Sequence, residues 1–146
     1  MGKRRRAREA AIQYHFWRDL QRGETPEHID DFWDFCPVKP SVREFAQPLI
    51  EGMVERLPEI DDRIKRYCEN YNLNRISAVD RNVLRLAIYE MLFRDDIPPV
   101  VSINEAIELA KTFGGAESGG FVNGILDRVR KDLDRPAREA VTKRES

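Results

Sequence analysis

Between Val83 and Leu92 the apolar residues stand in two rows four apart, Val83–Ala87–Met91 and Leu84–Ile88–Leu92. Four residues is close to one helical turn, so the rows lie side by side on one broad helical face. A strand would need alternation with a period of two, which this run lacks. A face that wide must be covered from more than one side, so this helix is expected at the centre of a helical core.

The same period organises the rest of the chain. A first helix is expected from about Arg4 to Gln21, with Ala7, Ala11, Tyr14 and Trp17 on one face and Gly23, Thr25 and Pro26 ending it. A loop follows, holding Phe32, Trp33 and Phe35 as anchors on the core and closed by Pro37 and Pro40. Ser41 and Glu44 have capping-box spacing, so a second helix runs to about Arg56 with Phe45, Leu49, Met53 and Leu57 inward. Pro58 suits a helix start, giving a third helix to about Tyr71, broken by Asn70, Asn72 and Asn74. After a short turn at Arg75–Ile76, Ser77 to Asp80 cap the central helix. Ser102 and Glu105 form another capping box, followed by Ile103, Ile107, Ala110 and Phe113 inward and a stop at Gly114–Gly115. Ser118 opens the last helix, whose core row is Val122, Ile125 or Leu126, Val129 and Leu133, and Pro136 stops it. The expectation is an all-α fold of about seven helices. It forms a single domain over residues 1–135, with a charged, disordered tail over 136–146.

A chain of 146 residues can bury a core without disulfides or a metal. No apolar run approaches the roughly 20 residues that cross a bilayer, so no membrane partner is expected. The basic N-terminus lacks the apolar stretch of a secretory signal. Cys36 and Cys68 are far apart and have no ligand-spaced partners, as in a cytoplasmic protein with reduced thiols.

The formal net charge is −1, but its distribution is uneven. Lys3, Arg4, Arg5, Arg6 and Arg8 crowd the start, whereas Glu24, Glu27, Asp30, Asp31 and Asp34 form an acidic stretch without Lys or Arg. Catalytic and cofactor chemistry finds no foothold. The glycine-rich run from Gly114 to Gly120 lacks the Lys-Ser/Thr of a phosphate loop and joins helix to helix. His15 and His28 have no ligand at i+3 or i+4, and Glu51/Glu55 and Glu105/Glu108 read as solvated faces. Nothing calls for a cofactor or a metal, and the chain is not expected to be an enzyme.

The arginine run remains. Arg4 and Arg8 are four apart and share a helix face, with Arg5 beside them and Lys3 and Arg6 widening the charge. A solvated, frayed helix start is the plain alternative. Against it, cations at a helix N-terminus oppose the macrodipole and cost stability. An anionic partner accounts for that cost, and arginine suits phosphates and bases. Tyr14, Phe16 and Trp17 follow on the same helix, and one left exposed would offer a stacking platform for an unpaired base. Phe121 is a second such ring; partial burial at a helix start explains it equally well.

Residues 5–9 (RRARE), 79–90 (VDRNVLRLAIYE), 102–111 (SINEAIELAK) and 121–127 (FVNGILD) closely resemble the bacterial transcription antitermination factor family NusB. The blocks occur in the family's order and span nearly the whole chain; residues 22–74 match in helical pattern more than in identity. The resemblance implies an all-α fold of two small packed helical bundles. It implies binding of the single-stranded boxA RNA of ribosomal RNA operons, together with the small-subunit ribosomal protein NusE. Through that complex it implies indirect contact with other Nus factors and RNA polymerase, favouring processive transcription of ribosomal RNA. Carried onto this chain, the RNA-binding residues are Lys3, Arg4, Arg5, Arg6, Arg8, Phe16, Asp80 and Phe121. Asp80 is equally explained as an acid at a helix N-terminus. Many family members have Lys where this chain has Gly120, which puts one contact near Phe121 in doubt. Two alternatives stand beside this reading. One is a silent homodimer whose arginine face is masked by a second copy. The other is a stand-alone relative of the N-terminal domain of ribosomal RNA cytosine methyltransferases, for which the chain leaves no room for a cofactor-binding domain.

Overall fold

The computed structural model describes residues 2–21, 29–68 and 75–133, and every regular element among them is helical. Six helices follow in order: α1 (Lys3–Leu20), α2 (Ile29–Phe35), α3 (Pro40–Tyr67), α4 (Ala78–Phe93), α5 (Pro99–Gly114) and α6 (Ala116–Lys131). The all-α expectation is met. The chain divides into two compact units, Met1–Glu55 and Arg56–Ser146, whose boundary falls within α3.

In the first unit, Ala7, Ala10, Ala11 and Tyr14 of α1 are buried, as are Ala46, Leu49, Ile50 and Met53 of α3. The stretch expected as a loop is the short helix α2. It drives Phe32 edge-on against Tyr14, with ring centroids 5.2 Å apart, and stacks it on Trp17 at 6.2 Å. Phe35 is not a core anchor: it is 81% exposed. Helical geometry explains this, because residues 32 and 33 define the inward face and residue 35 lies roughly 110° from its middle. Of the acidic stretch, Asp30 pairs with Arg43 at 2.6 Å and Asp31 and Asp34 are exposed. Glu24 and Glu27 lie outside the described residues, as do His28, the expected stops at Gly23–Pro26 and Asn70–Asn74, and the tail from 136 to 146.

One helix, α3, replaces the two expected on either side of Pro58. Pro48 and Pro58 both sit inside it and each removes one backbone N–H. Both prolines are exposed, so the carbonyls they leave unbonded can turn to water. The helix starts at Pro40, one residue before the Ser41 expected to cap it.

The second unit is built around α4, in which every residue from Asn82 to Met91 is buried. It packs against α5 and α6, which also pack on each other. Val122, Ile125, Leu126 and Val129 of α6 form the expected row. Ser77 caps α4 as expected, its Oγ accepting the Asp80 N–H at 3.1 Å. Polar groups on so buried a helix must be paired. Arg85 makes a two-pronged contact with Asp61 at 2.8 and 3.0 Å and donates to Asn82 Oδ1 at 3.0 Å.

The capping box at Ser102 is overturned. Proline needs no N–H partner in a first turn, so α5 begins at Pro99, and Ser102 is buried with its hydroxyl donating to Glu90 at 2.8 Å. Phe113 is 38% exposed, because ten residues past Ile103 the helix has turned about 80° away from that face. Gly115, at φ +96°, joins α5 to α6 in a conformation that suits glycine alone. The last helix therefore opens at Ala116, not Ser118.

Candidate nucleic-acid interface

The first residues of α1 are Lys3, Arg4, Arg5 and Arg6, preceded by Gly2, which offers no side-chain cap. No acid stands in this first turn, so the N-terminal half-charge of the helix adds to the cations. The five basic residues do not present equally. Lys3 and Arg4 are exposed, Arg5 and Arg6 are half-buried, and Arg8 is 2% exposed.

Phe45 of α3 organises two of them. The Arg4 guanidinium lies over its ring at 5.0 Å and that of Arg8 at 5.7 Å. Arg4 and Arg8 share a face, as their spacing requires, but the ring encloses Arg8 and leaves Arg4 open to solvent. Arg6 faces another way: it is 3.6 Å from Glu9 and donates to the Cys36 thiol, also at 3.6 Å.

The three aromatics of α1 divide. Tyr14 is buried against Phe32, and burial pushes its phenol above the ordinary value. Trp17 stacks on Phe32. Phe16 is half-buried and outside that cluster.

The other two candidates belong to the second unit. Asp80 lies inside the first turn of α4, not ahead of it, and its Oδ1 is enclosed without a hydrogen-bond partner among the described residues. Phe121 is half-buried in the second turn of α6. Gly120 beside it has open space where a Cβ would stand. Three residues escaped the sequence reading as site candidates: Phe45, expected inward, and Lys39 and Phe35, both exposed. Only Lys39 carried a signal, as a cation beside a proline-initiated helix.

Among the described residues no group of three metal-ligating side chains occurs, and no helix is long and apolar enough to cross a membrane. A helical protein with an uncapped cationic helix start, its arginines set on an aromatic ring, is of the class that binds polyanions. The chain belongs to the NusB family, whose sequence profile matches residues 5–131. It is 44% identical over 140 residues to the transcription antitermination protein NusB of Myxococcus xanthus, covering 93% of this chain and all of that one. Among solved structures, NusB of T. maritima is 47% identical, with a TM-score of 0.77 and 92% of each chain covered. A structure of the antitermination factors NusB and NusE in complex with double-stranded RNA matches with a TM-score of 0.80 at 29% identity, covering 90% of this chain and 98% of that one.

Proposed function

We propose that this chain is an RNA-binding transcription antitermination factor. It acts in the cytoplasm with ribosomal protein NusE on boxA-type single-stranded RNA of ribosomal RNA operons, and promotes processive transcription of ribosomal RNA. The observation that carries the RNA reading is the uncapped start of α1, where Lys3 and Arg4 stand exposed with no acid in the first turn. Membership of the NusB family narrows the polyanion to RNA and supplies the partner.

Lys3, Arg4, Arg5 and Arg6 contact phosphates in this reading, and Phe16 and Phe121 contact bases. Asp80 is the acidic member of the set. Arg8, enclosed against Phe45, adds positive charge to the RNA surface without reaching phosphate.

The test is a titration of boxA-type RNA, single-stranded and as a duplex, with and without NusE across a salt series. Four phosphate contacts on a single strand predict that log K falls with log salt at a slope of about −3. Changing Arg4 to Ala should flatten that slope by about 0.7. The proposal fails if the wild-type chain binds neither RNA, or if Arg4→Ala leaves affinity and slope unchanged. Equal RNA affinity with and without NusE would remove the partner from it.

A further inference from the structure

Two exposed residues of the first unit have no part in the arginine face: Phe35 on α2 and Lys39 just before α3. Each lines a cavity. The first cavity, about 360 Å³, is lined by Lys3, Arg6 and Lys39 over Val38 and Val42. Among the described residues neither Lys3 nor Lys39 has an ion-pair partner, and Arg6 has only its 3.6 Å contact with Glu9. The second cavity, also about 360 Å³, is lined by Trp17, Phe32, Phe35, Gln13 and Cys36. The two meet at one contact. Arg6 lines the first and donates to the Sγ of Cys36, which lines the second and in turn donates to Gln13 Oε1 at 3.2 Å.

A cationic cavity edge to edge with an aromatic one matches the chemistry of a nucleotide, which carries an anion and a flat apolar ring a few ångströms apart. We propose that the paired cavities hold one nucleotide of the bound RNA, its phosphate against Lys3, Arg6 and Lys39 and its base against Phe35 and Trp17. Gln13 is exposed and its oxygen accepts from Cys36, which leaves its amide N–H groups to donate to the base edge. Asp31 and Asp34, exposed on α2, repel phosphate and line neither cavity. Phe35 is 81% exposed, with Trp17 6.2 Å away, and offers its open face to a stacking base.

This inference rests on the RNA reading, and its test separates the two. Single-stranded RNA is titrated against the full chain and against Arg4→Ala, Lys39→Ala, Phe35→Ala and Phe35→Trp across a salt series. Circular dichroism checks that each variant is folded. Lys39→Ala should weaken binding and flatten the salt slope by about 0.7, as loss of one phosphate contact does. Phe35→Ala should weaken binding about fivefold or more with the slope unchanged, and Phe35→Trp should restore it. If Lys39→Ala and Phe35→Ala bind like wild type while Arg4→Ala is weakened, the nucleotide site is wrong and the RNA reading stands. If the wild type binds no RNA, both fall. If Phe35→Ala leaves RNA affinity intact and weakens only the complex with NusE, the aromatic cavity docks protein and the proposal is overturned.

Discussion

Replacing Asp61 by Asn tests how the most buried helix tolerates its polar residues. Arg85 sits on α4 with its side chain 7% exposed, and Asp61 on α3 is 18% exposed. Asparagine keeps the shape but removes the charge, and its NH2 group faces a donor at one prong. Two charge-assisted hydrogen bonds at about 1.5–3 kcal/mol each put the loss at about 3–6 kcal/mol. Breaking a buried ion pair by removing one partner costs about 3–5 kcal/mol, which overlaps that range. Asp61 keeps some access to water, and Arg85 keeps its bond to Asn82 Oδ1, so the lower end, about 3 kcal/mol, is expected. Urea unfolding followed by circular dichroism reads this directly. With a denaturant slope of about 2 kcal/mol per molar, the midpoint should fall by about 1.5 M. Replacing both partners, Asp61→Leu with Arg85→Met, removes the stranded charge and should recover most of the loss. A cost below about 1 kcal/mol for Asp61→Asn, or a double variant no more stable than the single, would refute the reasoning.

Three further outcomes are expected. Ser102→Ala removes the hydroxyl donated to buried Glu90 and should lower stability by about 1–3 kcal/mol in the same assay, whereas a helix-capping role would predict a frayed α5 by hydrogen exchange. Burial raises the Tyr14 phenol above its ordinary value of 10.0, and burial followed by the Asp132 carboxylate, to which its O–H donates, raises that of Tyr67. A raised folded-state value stabilises fully below the unfolded value and is lost as pH rises through the folded one. Stability should therefore hold to about pH 10 and fall above it, and Tyr14→Phe should flatten the fall; an unchanged alkaline profile counts against this. Gly120→Lys meets open space, replaces a helix-interior glycine and adds a cation beside Phe121. It should raise stability by about 0.5–1 kcal/mol and steepen the salt slope of RNA binding by about 0.7, and an unaltered slope would place the RNA elsewhere.

The helices were legible wherever the apolar period was unbroken. The two rows of α4 and the row from Val122 to Val129 state their burial outright, since a spacing of three or four residues has one structural meaning. Local signals misled where two readings share a pattern. Ser-x-x-Glu at Ser102 has capping-box spacing, but Pro98–Pro99 had already opened the helix and left the serine facing Glu90. Pro58 suits a helix start equally well as an exposed interior position. The arginine run was legible from charge alone. Which of its members reach solvent was not, because Phe45, 41 residues beyond Arg4, decides it. The paired cavities could not be read from the sequence for the same reason: their walls come from α1, α2, the segment before α3 and the first turn of α3.

Phe45 also changes the argument from the helix dipole. Cations at the start of α1 are unfavourable if nothing offsets them, yet Arg4 and Arg8 each face the ring at cation–π distance. Part of their cost is met inside the fold, as is that of Arg6 by Glu9, so those arginines are weaker evidence for an anion than their charge suggests, and exposed Lys3 is stronger. The ring has a second consequence, since a guanidinium held on it keeps fewer rotamers to lose on binding phosphate. Phe45→Leu removes the platform while leaving every charge in place. An exposed cation–π contact contributes about 0.5–1 kcal/mol, so if that interaction organises Arg4, RNA affinity should fall about two- to fivefold. The salt slope should not move, because no phosphate contact is deleted. Loss of slope would mean that Arg4 binds phosphate only through the ring's placement; unchanged affinity would mean that the ring supports the fold alone, and that Arg4 finds the RNA without it.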